Sequence, residues 1–145
     1  MQEDKPLIAG IIGAFSTLPG EACSRILLAL NIGGYSIYQL DSLLITLNRV
    51  NNFIGLYLNF VIGATVGIAF YFSIQFLGKT HLVYKSVFVG MLSSIFTEFL
   101  FSAIIEGHYV AVRPISDYYV HAISALIYGL VMGIAFNKYL FNQRT

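Results

Sequence analysis

The stretch Phe53–Leu77, FIGLYLNFVIGATVGIAFYFSIQFL, contains no Asp, Glu, Lys or Arg. A helix needs about 20 mostly apolar residues to cross the hydrocarbon core of a bilayer, and this segment exceeds that length. Three further stretches are also of about that length and mostly apolar: Leu7–Leu30, Leu82–Ile105 and Tyr118–Phe136. The first of them needs a kink, because Pro19-Gly20 interrupts it. Proline removes a backbone hydrogen bond and glycine loosens the helix further.

Composition agrees with four spans. Only 10% of the 145 residues are charged and mean hydropathy is +0.76, whereas a soluble domain carries about a quarter charged residues. The net charge of +1 excludes a strong field directed at nucleic acid. The single cysteine, Cys23, provides neither an intrachain disulfide framework nor a Cys cluster for a metal. Residues 1–5 hold two acids against one lysine, a poor signal-peptide start, so 7–30 is read as a span. The expected fold is an all-α integral membrane bundle of four transmembrane helices in a single domain covering 1–145.

Between the first two spans, residues 35–50 follow a different pattern. Ile37, Leu40, Leu44 and Leu47 recur at steps of three and four, with Gln39, Asp41, Ser42, Asn48 and Arg49 on much of the other side. This predicts an amphipathic helix, too short and polar to span, lying in the membrane interface or binding a partner.

Lys5, Lys79, Lys85, Lys138 and Arg144 fall on one side of the spans, and Arg49 and Arg113 on the other. The positive-inside rule then predicts cytoplasmic termini. Tyr35, Tyr38, Tyr84, Tyr109, Tyr118, Tyr119 and Tyr139 lie near span ends, where interfacial aromatics belong.

Spans two and four share a phrase. Gly63-Ala-Thr-Val-Gly67-Ile68-Ala69-Phe70 matches Gly129-Leu-Val-Met-Gly133-Ile134-Ala135-Phe136 at five of eight positions. Spans one and three match more weakly, Gly10 through Thr17 against Gly90 through Thr97. A duplicated helical hairpin is expected, with its pseudo-twofold axis along the membrane normal. Each copy of the phrase holds a GxxxG, a notch through which another backbone approaches closely. Such notches mark contacts inside the bundle or, as a sharper expectation, a dimer face.

Glu21, Arg25 and Glu98 lie well inside apolar sequence, where a charge costs at least ~2.5–3.5 kcal/mol on insertion scales. At 1.5 Å per residue, Glu21 stands about 21 Å above Leu7 and Glu98 about 22 Å above Val83, in a core of ~30 Å. Asn59 lies about 9 Å below Phe53, and Arg25 and His121 a turn or less higher than the acids. Four helices therefore deliver Glu21, Arg25, Asn59, Glu98 and His121 to one polar layer. Glu21 and Arg25 form an i, i+4 pair in the favoured order, which leaves Glu98 to be protonated or to pair with Arg25, His121 or Arg113. Layer residues of this kind either hold a bundle together or form a proton or cation path.

No H-E-x-x-H, G-x-S-x-G or phosphate-cradling loop is present, so an enzyme, a cofactor and a metal site are not expected. The outer loop Arg113-Pro114-Ile115-Ser116, leading into a last span with Tyr128-Gly129-Leu130-Val131-Met132-Gly133, resembles small four-helix bacterial inner-membrane proteins of YqhR/YagU type. That resemblance implies an inner-membrane location and supplies no mechanism. The leading functional expectation is a non-enzymatic membrane subunit or self-assembling protein, a homo-oligomer or part of a membrane complex in the lipid bilayer. The alternative is a proton or cation channel or transporter centred on Glu98.

Overall fold

A computed structural model describes residues 4–141, and Arg144 lies outside the described residues. The described chain is helical apart from short turns and an isolated bridge: α1 Lys5–Phe15, α2 Thr17–Ala29, α3 Ile37–Thr46, α4 Asn52–Leu77, α5 Leu82–Ile104 and α6 Ile115–Phe136, with a π-helical turn at Asn137–Phe141. Four segments are long and apolar enough to cross a membrane: Lys5–Ala29, Asn52–Leu77, Leu82–Ile104 and Ile115–Phe141. This is the architecture of a multi-pass membrane protein.

Local chemistry sets the boundaries. Asp4 caps α1 by accepting from the Leu7 amide at 3.2 Å. The first span breaks for one residue at Ser16, where the hydroxyls of Ser16 and Thr17 donate to the carbonyls of Ile12 and Ala14, each at 2.7 Å. Pro19 lacks the N–H that would bond the Phe15 carbonyl, so the break has both a cause and a local remedy. Ser36 and Gln39 form a capping box at the start of α3. The Asn51 side chain accepts from Phe53 and Ile54 to start α4, and Gly78, at φ +74°, ends it.

Packing resolves into two hairpins. The α1 helix runs along α4, and α5 along α6; α2 leans across to α6, while α4 and α5 touch sparsely. Small residues set the close approaches. A Cβ on Gly13 would overlap the Gly63 carbonyl oxygen and come within 2.9 Å of the Gly67 Cα. A Cβ on Gly129 would stand 2.6 Å from the Val87 Cα, and one on Gly133 2.9 Å from the Val83 Cα. Gly63, Gly67, Gly129 and Gly133 are thus used inside the chain, where backbone proximity gives dispersion contacts that lipid cannot replace. The Ser86 hydroxyl adds an interhelical bond to the Gly129 carbonyl at 2.7 Å.

Apolar side chains pack at both ends of the bundle. Ala9, Phe70, Ile74, Leu82, Tyr128, Met132, Phe136 and Leu140 form the core toward the terminal end. At the opposite end, Leu40 and Leu43 of α3 pack on Phe101 and Ile105. Gly55 admits the Tyr38 carbonyl so closely that a Cβ there would overlap it, which seats α3 against α4. Asp41 and Ser42 are buried in this contact and Ile45 is exposed. The polar side expected to face outward is therefore partly turned inward, because α4 offers polar partners at that level. Tyr38 is likewise buried, unlike Tyr84, Tyr109, Tyr119 and Tyr139.

Candidate functional site

The ionisable residues of the apolar sequence separate into three groups. Glu21, on α2, is saturated: it accepts from Arg25 Nε at 2.6 Å, Ser36 Oγ at 2.9 Å, the Tyr38 amide at 3.0 Å and Ser24 Oγ at 3.2 Å. Two of those donors belong to the start of α3, where a carboxylate also complements the positive end of the helix dipole. Arg25 remains part exposed and reaches Asn52 Oδ1 at 2.9 Å. The pair ties α2 to α3 and lies outside the cavity described below.

The second group centres on Arg113, whose side chain is 1% exposed. Its Nη2 reaches Glu98 Oε2 at 2.7 Å and its Nε reaches Glu106 Oε1 at 3.3 Å, while its guanidinium covers the rings of Phe101 and Tyr118 at 4.3 and 4.8 Å. Glu106 also accepts from the Arg113 amide at 2.7 Å, Ser102 Oγ at 2.8 Å and the Tyr118 hydroxyl at 2.9 Å. Burial would raise this carboxyl, but the hydrogen bonds outweigh it and hold Glu106 at about 2. Glu98 meets His121 Nδ1, and His121 Nε2 lies 3.0 Å from the Tyr35 carbonyl. A carbonyl can only accept, so Nε2 donates to Tyr35 and Nδ1 is the ring nitrogen that faces Glu98. Glu98 is thus partnered on both oxygens.

The third group is Asp41 with Asn59. Asn59 Nδ2 donates to Asp41 Oδ2 at 2.5 Å, and among the described residues Asn59 Oδ1 has no hydrogen-bond partner. Asp41 is 1% exposed, and no cation among the described residues pairs with it. Desolvation pushes its carboxyl up to about 7, against the opposing hydrogen bond from Asn59.

Between the hairpins, and under α3, lies a cavity with about 70 Å³ open to the centres of water-sized molecules, room for several waters. Asp41, Asn59, Glu98, His121 and Tyr128 line it, together with Ser93, Ser94 and Thr97 along α5. The structure therefore brings Asn59, Glu98 and His121 of the expected layer to one space and leaves Glu21 and Arg25 outside it. Pro19 is exposed, and Gly20 forms part of the wall, its missing Cβ allowing the Ser124 carbonyl near. Among the described residues no cluster of three His, Cys, Asp or Glu side chains could hold a metal.

Asp41 is the functional candidate that the amphipathic pattern concealed. It lies four residues after Ile37 and three before Leu44, on the apolar stripe itself, and that position is the signal of burial. Asp117, fully buried and bonded to the Gly34 amide, carried no comparable signal.

Asp41 also sets a pH dependence. The folded protein keeps its proton up to about pH 7, while an unfolded chain releases it near 3.8. Its folded pKa is raised, so its contribution favours the folded state at low pH and falls as pH rises from about 4 to 7. Asp41→Asn should therefore flatten the melting temperature across that interval relative to wild type and raise it above pH 7, measured in detergent micelles. Parallel wild-type and mutant profiles would contradict a buried titrating carboxyl.

No family model, curated protein sequence or solved structure matches this chain.

Proposed function

We propose that this protein handles protons or small cations inside the membrane, using the cavity between its hairpins. The observation carrying this reading is a buried carboxyl, Asp41, that faces the cavity without a cationic partner among the described residues and that burial pushes up to about 7. A buried carboxyl with these properties can load and release a proton at physiological pH. Glu98, the expected centre, serves instead as a fixed wall, locked by Arg113 and His121. Enzymatic chemistry forms no part of the proposal.

Duplication of one hairpin accounts for the shared phrase, and the closure of each hairpin on a GxxxG of its second helix supports it. The basic residues support cytoplasmic termini, with α3 at the outer surface, and the resemblance to YqhR/YagU-type proteins supports a bacterial inner membrane. Assembly with itself or within a membrane complex is the alternative role. It is favoured by α5, where Phe88, Leu92, Ile95, Phe96 and Phe99 are all exposed in the single chain.

The test is proton and monovalent-cation flux in proteoliposomes between pH 5 and 8. Wild-type flux should be lost in Asp41→Asn. Glu98→Gln should reduce it only as far as it loosens the Arg113 network. No flux above empty liposomes from folded protein would sink the pathway and turn attention to assembly.

A further inference from the structure

Resting on the cavity proposed above as the working site, its wall specifies the kind of cation. Four hydroxyls that line it have committed their protons to main-chain carbonyls: Thr17 to Ala14 at 2.7 Å, Ser93 to Gly90 at 2.8 Å, Thr97 to Ser93 at 3.1 Å and Tyr128 to Gly63 at 3.3 Å. A hydroxyl has one proton and two lone pairs. What these oxygens still offer is acceptance. Asn59 turns its Nδ2 to Asp41, and its unpartnered, buried Oδ1 is an acceptor as well.

The charges point the same way. Of the two carboxyl groups on the wall, Glu98 is paired with Arg113 and bonded to His121, and Asp41 has no cationic partner among the described residues. The titratable groups acting on Asp41 are Glu21 of α2, Glu98 of α5 and His121 of α6. The cavity thus combines one unneutralised carboxyl, an orphan amide oxygen and a set of acceptor hydroxyls, with apolar Ile62, Val66 and Ala125 between them.

We infer that the cavity binds a small cation rich in N–H donors, an ammonium ion or a short primary alkylammonium, with its nitrogen between Asp41 and Asn59 Oδ1. Three or four N–H groups satisfy several of these acceptors at once, and charge-assisted hydrogen bonds are the stronger kind. The apolar residues accommodate a methyl or ethyl substituent. A quaternary ammonium carries the same charge but no donor, so it leaves the acceptors unsatisfied.

The experiment is thermal denaturation of the purified full chain in detergent at pH 8, titrated with ammonium, methylammonium, tetramethylammonium, sodium or potassium chloride at matched ionic strength. A ligand that binds the folded form raises the melting temperature with concentration. Ammonium and methylammonium should do so saturably, and tetramethylammonium should not. Asp41→Asn should weaken the apparent affinity about tenfold or more, as loss of a charged hydrogen-bond partner requires. Thr97→Val, which conserves shape, should weaken it less, and it supplies the comparison if Asp41→Asn does not fold. Equal stabilisation by sodium or potassium, or stabilisation unchanged in the folded variants, would overturn the inference. Flux of alkali cations in liposomes would then leave the broader pathway standing. Absence of both responses would remove the two together.

Discussion

Gly13→Ala is expected to prevent the first hairpin from closing, although it adds one methyl group. The new Cβ would overlap the Gly63 carbonyl oxygen and stand 2.9 and 3.0 Å from the Gly67 Cα and N. All three are backbone atoms of α4, so no side-chain rotation relieves the contact. The helices would have to separate along α1 and α4, losing the close packing that replaces the hydrophobic effect in lipid. The expected loss is roughly 3 kcal/mol or more, at the upper end of overpacking costs, with much reduced recovery of monodisperse protein. Gly10→Ala, one turn earlier, is the internal control. Its Cβ would press only on the Ile68 side chain, at 3.2 Å, which can shift, with the Ala64 carbonyl oxygen at an ordinary 3.7 Å, and its effect should stay below about 1 kcal/mol. Thermal melts of the two variants in the same detergent check the contrast. Equal melting temperatures would mean that the α1–α4 interface is looser than described.

Arg113→Gln should be nearly as damaging, for an electrostatic reason. The substitution leaves Glu98 and Glu106 without the cation they share, and the Phe101 and Tyr118 faces without the guanidinium that covers them. Breaking a buried ion pair from one side costs about 3–5 kcal/mol, because the remaining charge stays buried and unpaired. Arg113→Lys should recover only part of that. Its ammonium restores the charge but cannot bridge two carboxylates with a planar fork while stacking on two rings. Glu106 adds a check on sign. Its depressed pKa contributes stability above about pH 4.5 that is lost as pH falls toward about 2. The deficit of Arg113→Gln against wild type should accordingly narrow in acid. A deficit of less than about 1 kcal/mol at pH 7 would mean that the pairs are solvated and of the weak surface kind.

These two variants probe different levels of what the chain encodes. Residue order alone determines that four helices have the length and apolarity of spans, since those follow from local composition and the rise of a helix. It also marks an interrupted first span through Pro19-Gly20, although the break itself falls at Ser16, the amphipathic segment 35–50 within which α3 lies, and the notches at Gly63, Gly67, Gly129 and Gly133. Each of these is carried by a residue and its immediate neighbours.

Only the tertiary structure decided which polar groups meet. Equal depth along four helices placed Glu21, Arg25, Asn59, Glu98 and His121 in one layer, but depth leaves the rotation of each helix about its axis unspecified. Packing turned Glu21 toward the start of α3 and Glu98 toward His121 and Arg113. It also brought Asp41 under α3 to Asn59, because Gly55 lets α3 lie against α4. A side chain's partner is set by contacts between segments distant in sequence. For that reason the spans were legible residue by residue, and the cavity was not.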